Sequence, residues 1–183
     1  MTETTRSTAV EKKTPELLLP DAASTAETIV REAVKFCTDK LRMGNYQMVV
    51  EKLRRCDESA ANYCHYSIAK QVGEALGALD PTVQAVYMVD YDATPEDICF
   101  GSTKGIEPIH VIIQVERKTK ALSALVEALD RALVRSYAAL LSLGDLEHIL
   151  DAQLVDSEDI KKRVGYGAML SSLYRKPLRV WER

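Results

Sequence analysis

His110 and Gln114 stand four residues apart in the run Pro108 to Glu116, PIHVIIQVE, and Asp151 and Gln153 stand two apart in ILDAQLV. In an extended chain an even spacing puts both members of a pair on the same side. If the two segments lie with their polar sides aligned, an imidazole, a carboxylate and two amides project together, and Asp90 joins them from an earlier strand. Such a set could bind a small ligand, or hold a single metal ion through His110 and Asp151. The same alternation also describes an ordinary half-exposed sheet, solvated on one side. A second candidate is FGSTKG, where Gly101 and Ser102, with Lys104 and Gly105, could hold an anion on backbone amides or simply form a turn. The chain carries no Ser-His-Asp set, zinc spacing, Walker loop or dinucleotide fingerprint.

The elements that must position these residues follow from hydrophobic spacing. Residues 1–22, rich in Thr, Glu, Lys and Pro, read as a flexible tail. A helix is expected from about Thr25, where Ser24 and Glu27 have capping-box spacing, to the break at Gly44-Asn45. One stripe then runs from Val49 through Leu53, Cys56, Cys64, Ile68 and Val72 to Leu79, ended by Asp80-Pro81. A single helix of that length spans about 50 Å, so it either bends near Asp57-Glu58-Ser59 or serves as an arm that a second copy covers. Residues 23–67 are accordingly read as a helical arm and 68–183 as the body.

Within the body, Val83 to Tyr91 alternates as a strand, with Val83, Ala85, Tyr87 and Val89 on one side and Gln84, Val86 and Met88 on the other. In the next strand Ile109, Val111, Ile113 and Val115 form the apolar side. His110, Ile112 and Gln114 form the other, mostly polar side, a pattern expected of a sheet covered by helices on one face only. A helix from about Thr119 to Leu143 stops at Gly144. EHILDAQLVD fits a strand and also a helix, with the strand preferred. A last helix, weakened by Gly165 and Gly167, is expected from Asp156 or Ser157 through about Tyr174, and PLRVW forms a short extended end with Trp181 on the body.

The order helix, strand, strand, helix, strand, helix resembles the nucleotidyltransferase fold of the polymerase-β superfamily, in its minimal form, over roughly residues 68–183. In that family a Gly-Ser loop holds a triphosphate, and three acids on two strands bind two magnesium ions. FGSTKG resembles the phosphate loop, and Asp151 sits where the third acid is expected. The strand that should carry Asp-x-Asp reads Pro108-Ile109-His110 instead, so the resemblance implies a degenerate, non-catalytic member. The alternative is a magnesium-dependent nucleotidyl or phosphoryl transferase drawing on Asp90, Asp151 and Asp92 or Asp97.

The totals are those of one ordinary domain. The 183 residues carry a net charge of −3, a pI near 5.7, 46% hydrophobic and 28% charged residues, as in an ordinary globular domain. Without a basic stripe, duplex nucleic acid is a poor partner. Without an apolar run of about 18 residues, a membrane-spanning helix is not expected, and a cytoplasmic location follows. Cys37, Cys56, Cys64 and Cys99 lack metal spacing and read as buried reduced thiols. The expected object is therefore an α+β protein with about three strands, dimerising through its arm and binding a small ligand or protein partner without a resident metal. The fold alternative is a mainly helical protein with one β-hairpin.

Overall fold

The computed structural model describes residues 22–89, 108–144, 146–173 and 176–183. The described elements run α1 (Ala22–Lys40), α2 (Tyr46–Arg54), α3 (Glu58–Leu79), β1 (Val83–Met88), β2 (Ile109–Val115), α4 (Lys120–Leu141), β3 (Leu150–Asp156), α5 (Ser157–Lys162), α6 (Tyr166–Leu170) and β4 (Leu178–Glu182). They build an α+β fold around one four-stranded mixed sheet of order β3-β2-β1-β4. β2 runs antiparallel to β1 and parallel to β3, and β4 is antiparallel to β1. The fourth strand, one more than the sequence suggested, comes from PLRVW.

The stripe expected as one long helix is two. Cys56 adopts φ 58°, a left-handed conformation that a helix cannot contain. Asp57 then opens α3 by accepting the Ala60 amide at 3.0 Å, while Lys52 bridges to its other oxygen at 2.5 Å. The Lys52 bond holds the Asp57 carboxyl below its usual range, against a smaller desolvation penalty. Ser24 does not cap α1, which begins at Ala22. α4 starts where expected, with Thr119 Oγ1 accepting the Leu122 amide at 3.1 Å. It ends at Ser142 in the left-handed region rather than at Gly144.

This geometry folds α1 back onto α3 and α4. Ile29, Val30, Ala33, Val34 and Cys37 of α1 are buried in the same core as Ile68, Val72 and Leu76 of α3 and Leu129, Leu133 and Tyr137 of α4. The stripe is thus covered within the chain, and a second copy is not needed to bury it. Cys37 and Cys64 lie in this core as free thiols, and Cys56 is half-buried.

This helical layer packs on the side of the sheet formed by Val86, Met88, Val111, Ile113 and Leu150. A bulge between Val83 and Ala85 lets Val83 share that side with Val86, so the simple alternation expected along β1 fails at its start. At the far edge Trp181 of β4 lies directly over Gly73 and Gly77 of α3. Arg183 ties the chain end to the carbonyls of Val83 and Asp80 at 3.1 and 3.2 Å, and to that of Gly77.

The other side of the sheet is not open. Ile112, expected on the polar side, is fully buried. It joins Val89 and Val155 in a second apolar cluster against Tyr87, Ile160, Met169 and Leu170. The last helix accounts for this cover. Instead of one helix to Tyr174 there are two short ones, separated where Arg163 and Gly165 both take φ 52°, and the turn folds α5 and α6 back over the strands. Asp156 starts α5 with a complete capping box through Asp159, and Lys118 Nζ lies 2.5 Å from the same Asp159 oxygen, Oδ2, that accepts the Asp156 amide. Helices therefore lie on both faces, in place of the one-sided cover read from the sequence.

Candidate functional site

β3 is the strand on which the candidate residues converge. Its parallel register with β2 sets His110 opposite Asp151 and Ile109 opposite Leu150, with no irregularity over seven pairs. His110 Nδ1 lies 2.8 Å from Asp151 Oδ2, and Gln153 Nε2 donates to Asp151 Oδ1 at 2.9 Å. Three of the residues singled out from the sequence are therefore in direct contact. An ionised carboxylate only accepts, so Nδ1 carries the proton in this bond and a neutral His110 keeps its lone pair at Nε2. Desolvation pushes the Asp151 carboxyl up. The bonds from Gln153 and His110, with the charges of His110 and His148, outweigh it and hold the group below the usual range.

Gln114 belongs elsewhere. Its Oε1 accepts from Tyr87 Oη at 3.0 Å and its Nε2 donates to Gln84 at 3.1 Å. The buried Ile112 lies between it and His110 on the strand. The expected four-residue polar pocket is thus divided into a His110–Asp151–Gln153 group at the β3 edge and a Gln84–Tyr87–Gln114 group toward β1. Asp90, Gly101 and Ser102 lie outside the described residues, as do Asp92, Asp97 and Cys99.

A residue that sequence reasoning passed over completes the edge site. Asp130 of α4 is 5% exposed. Its Oδ1 accepts the amides of Ile149 and Leu150, each at 2.9 Å, and its Oδ2 meets His148 Nδ1 at 2.7 Å. The signal was available: Asp130 continues the i, i+4 series Leu122, Val126, an apolar stripe in which a carboxylate must find partners. The Asp130 bond and charge raise the His148 pKa from its ordinary value. His148 is mostly exposed, not turned inward at the rim.

Between β3 and α4 lies a groove of about 520 Å³. Val126, Leu150, Ala152 and Pro108 give it apolar surface; Asp151, Asp130 and Glu127 give it acidic groups, with Arg131 and His148 opposing them. Among the described residues no strand lies outside β3. The backbone direction along that edge follows from one bond. Ile109 donates its amide to the Ile149 carbonyl, so in a parallel ladder Asp151 and Gln153 direct their peptide groups to β2, and Leu150, Ala152 and Leu154 direct theirs outward. The outward amide of Leu150 is the one that Asp130 occupies.

Comparison with protein-family models, curated proteins and solved structures finds no match. Among the described residues no group of three His, Cys, Asp or Glu side chains converges as a metal site, and no helix is long and apolar enough to cross a membrane.

Proposed function

We propose that this protein is a non-catalytic partner-binding module, and that its binding surface is the outer edge of β3 with the adjoining groove against α4. The observation that carries this reading is an edge strand whose outward peptide groups at Ala152 and Leu154 face a groove with an apolar floor. An extended segment added to such an edge gains main-chain hydrogen bonds, and its alternate side chains find separate surroundings. Those pointing down would meet Val126, Leu150 and Ala152. Those pointing up would meet Asp151, fixed in place by His110 and Gln153. The preferred segment therefore alternates apolar and cationic residues.

A seven-residue peptide of alternating valine and lysine, labelled for fluorescence anisotropy, tests this. It should bind, its backbone N-methylated analogue should not, and Asp151→Asn should weaken binding about fivefold, the equivalent of roughly 1 kcal/mol for a partly exposed charge pair. Equal binding of the N-methylated peptide would remove the edge from the reading.

The magnesium-dependent transferase reading requires further carboxylates beside Asp151, whose two oxygens are engaged by His110 and Gln153. Magnesium-dependent thermal stabilisation by a nucleoside triphosphate would favour it over the edge-binding module.

A further inference from the structure

The two edges of the sheet differ in how they are protected. β4 spans five residues, follows Pro177, pairs with β1 through an irregular register and carries the charged pair Arg179 and Glu182. These are the usual devices that keep an edge from pairing with another chain. β3 spans seven residues in unbroken register and has no proline or lysine. Of its two acids, Asp151 is engaged by His110 and Gln153, and Asp156 caps α5. An edge of this kind is a template for another strand.

We infer that the segment occupying it is β3 of a second copy of this chain, paired antiparallel about a twofold axis at Ala152. This inference rests on the edge-binding reading and names its partner. The outward peptide groups are those of Leu150, Ala152 and Leu154; the Leu150 amide is held by Asp130, so at that residue the carbonyl alone is left to accept from a neighbouring strand. Antiparallel pairing requires outward residues to face outward residues, a condition that Ala152 and Gln153 both meet as twofold centres near the middle of the strand.

Side chains decide between them. A centre at Gln153 sets Asp151 against Val155, Asp156 against Leu150, and Gln153 against itself. A centre at Ala152 sets Leu150 against Leu154, Asp151 against Gln153, and Asp156 against His148 of the other copy. Each acid then meets a donor or a cation and each leucine meets a leucine, the pairing that stabilises adjacent strands. β3 itself supplies the apolar half of the pattern sought by the groove in Leu150, Ala152 and Leu154, with the neutral donor Gln153 in place of a cation. The second copy would also set its Gln153 beside the Asp151 carboxylate, which within each chain already accepts from His110 and Gln153.

The full-length chain is tested by light scattering after size exclusion and by cysteine cross-linking. The wild type should show the mass of a dimer at micromolar concentration. Ala152→Pro removes an outward amide, a change that an edge strand tolerates, and should yield a folded monomer. Leu154→Lys should do the same by placing a cation on each edge, should the proline variant fail to fold. Ala152 faces itself across the axis at a Cα separation of about 5.5 Å, within disulfide reach. Ala152→Cys should therefore cross-link under mild oxidation and Gln153→Cys should not, relative to the wild-type background.

A monomer at every concentration, or the reverse cross-linking pattern, overturns the inference. A monomer that still binds the valine–lysine peptide overturns the second copy and leaves the edge reading standing. A monomer that does not bind it sinks both.

Discussion

Replacing Asp130 with alanine should destabilise the protein by about 2–4 kcal/mol, far more than replacing it with asparagine. The magnitude follows from what one carboxylate does. Oδ1 accepts two amides, from Ile149 and Leu150, at 2.9 Å each, and both residues are at most 5% exposed. A buried amide left without an acceptor costs about 1–3 kcal/mol. Two such groups give roughly 2–6 kcal/mol, and the lower part of that range applies because the groove lets water reach the Leu150 side. Asparagine retains a carbonyl oxygen at Oδ1 and forfeits only the charge-assisted contact with His148, worth about 1 kcal/mol or less at an exposed imidazole. Against a typical total of 5–15 kcal/mol, the alanine variant loses a large fraction of its stability. Urea denaturation measures it: with a slope of about 1–3 kcal/mol/M, the midpoint should fall by roughly 1–2 M. Amide exchange at Ile149 and Leu150 should accelerate more than in α1. An alanine variant within about 0.5 kcal/mol of the wild type would refute the reasoning. An asparagine variant as damaged as the alanine one would show that charge rather than acceptor capacity holds β3.

Gly77→Ala should cost about 1–3 kcal/mol by overpacking, because its methyl group would overlap Cζ2 and Cη2 of Trp181. In a cycle with Trp181→Leu the two changes should couple by about 1 kcal/mol or more, and strict additivity would contradict the contact. His148→Gln should show a pH-dependent loss. Since Asp130 raises the folded-state pKa of His148, the stabilisation is complete below the unfolded value near about 6.5. It disappears as pH rises through the raised folded value. With the imidazole 65% exposed, the gap between wild type and variant should be about 0.5 kcal/mol in thermal melts at acidic pH. A gap that grows with pH would contradict the sign.

What could be read from the sequence was local. The alternation of β2 and β3 put His110, Asp151 and Gln153 on one side, and the structure brings those three together. The Ile109 to Val115 apolar side is equally plain in the residues, whereas LDAQLVD fits helical spacing as well as the strand that it forms. Longer-range pairings were not legible. Ile112 looked like an irregularity on a polar side because its cover, Ile160, Met169 and Leu170, depends on a chain reversal at Arg163 and Gly165. The break at Cys56 depends on one left-handed residue in an unbroken stripe. Its consequence, α1 folded against α3 and α4, removed the reason for treating residues 23–67 as an arm. Gln114 shared parity with His110, yet parity fixes only the side of a strand and not the neighbour along it.

Two histidine–aspartate pairs beside one groove resemble catalytic machinery, but the direction of their hydrogen bonds argues for positioning. Asp130 spends one oxygen on two amides and the other on His148. Asp151 spends its oxygens on His110 and Gln153. Both carboxylates fix the start of β3: one anchors its first amides to α4, and the other joins it to β2 through His110. A parallel edge strand has pairing on one side only, so such anchors prevent the one-residue slip that would turn Leu150, Ala152 and Leu154 out of the core side. With Asp130 committed to register and Asp151 held in place by His110 and Gln153, the groups left to meet another molecule are the half-exposed Asp151 carboxylate and the outward peptide groups at Ala152 and Leu154. The natural complement of those peptide groups is the backbone of another strand, the contact on which the proposed association rests.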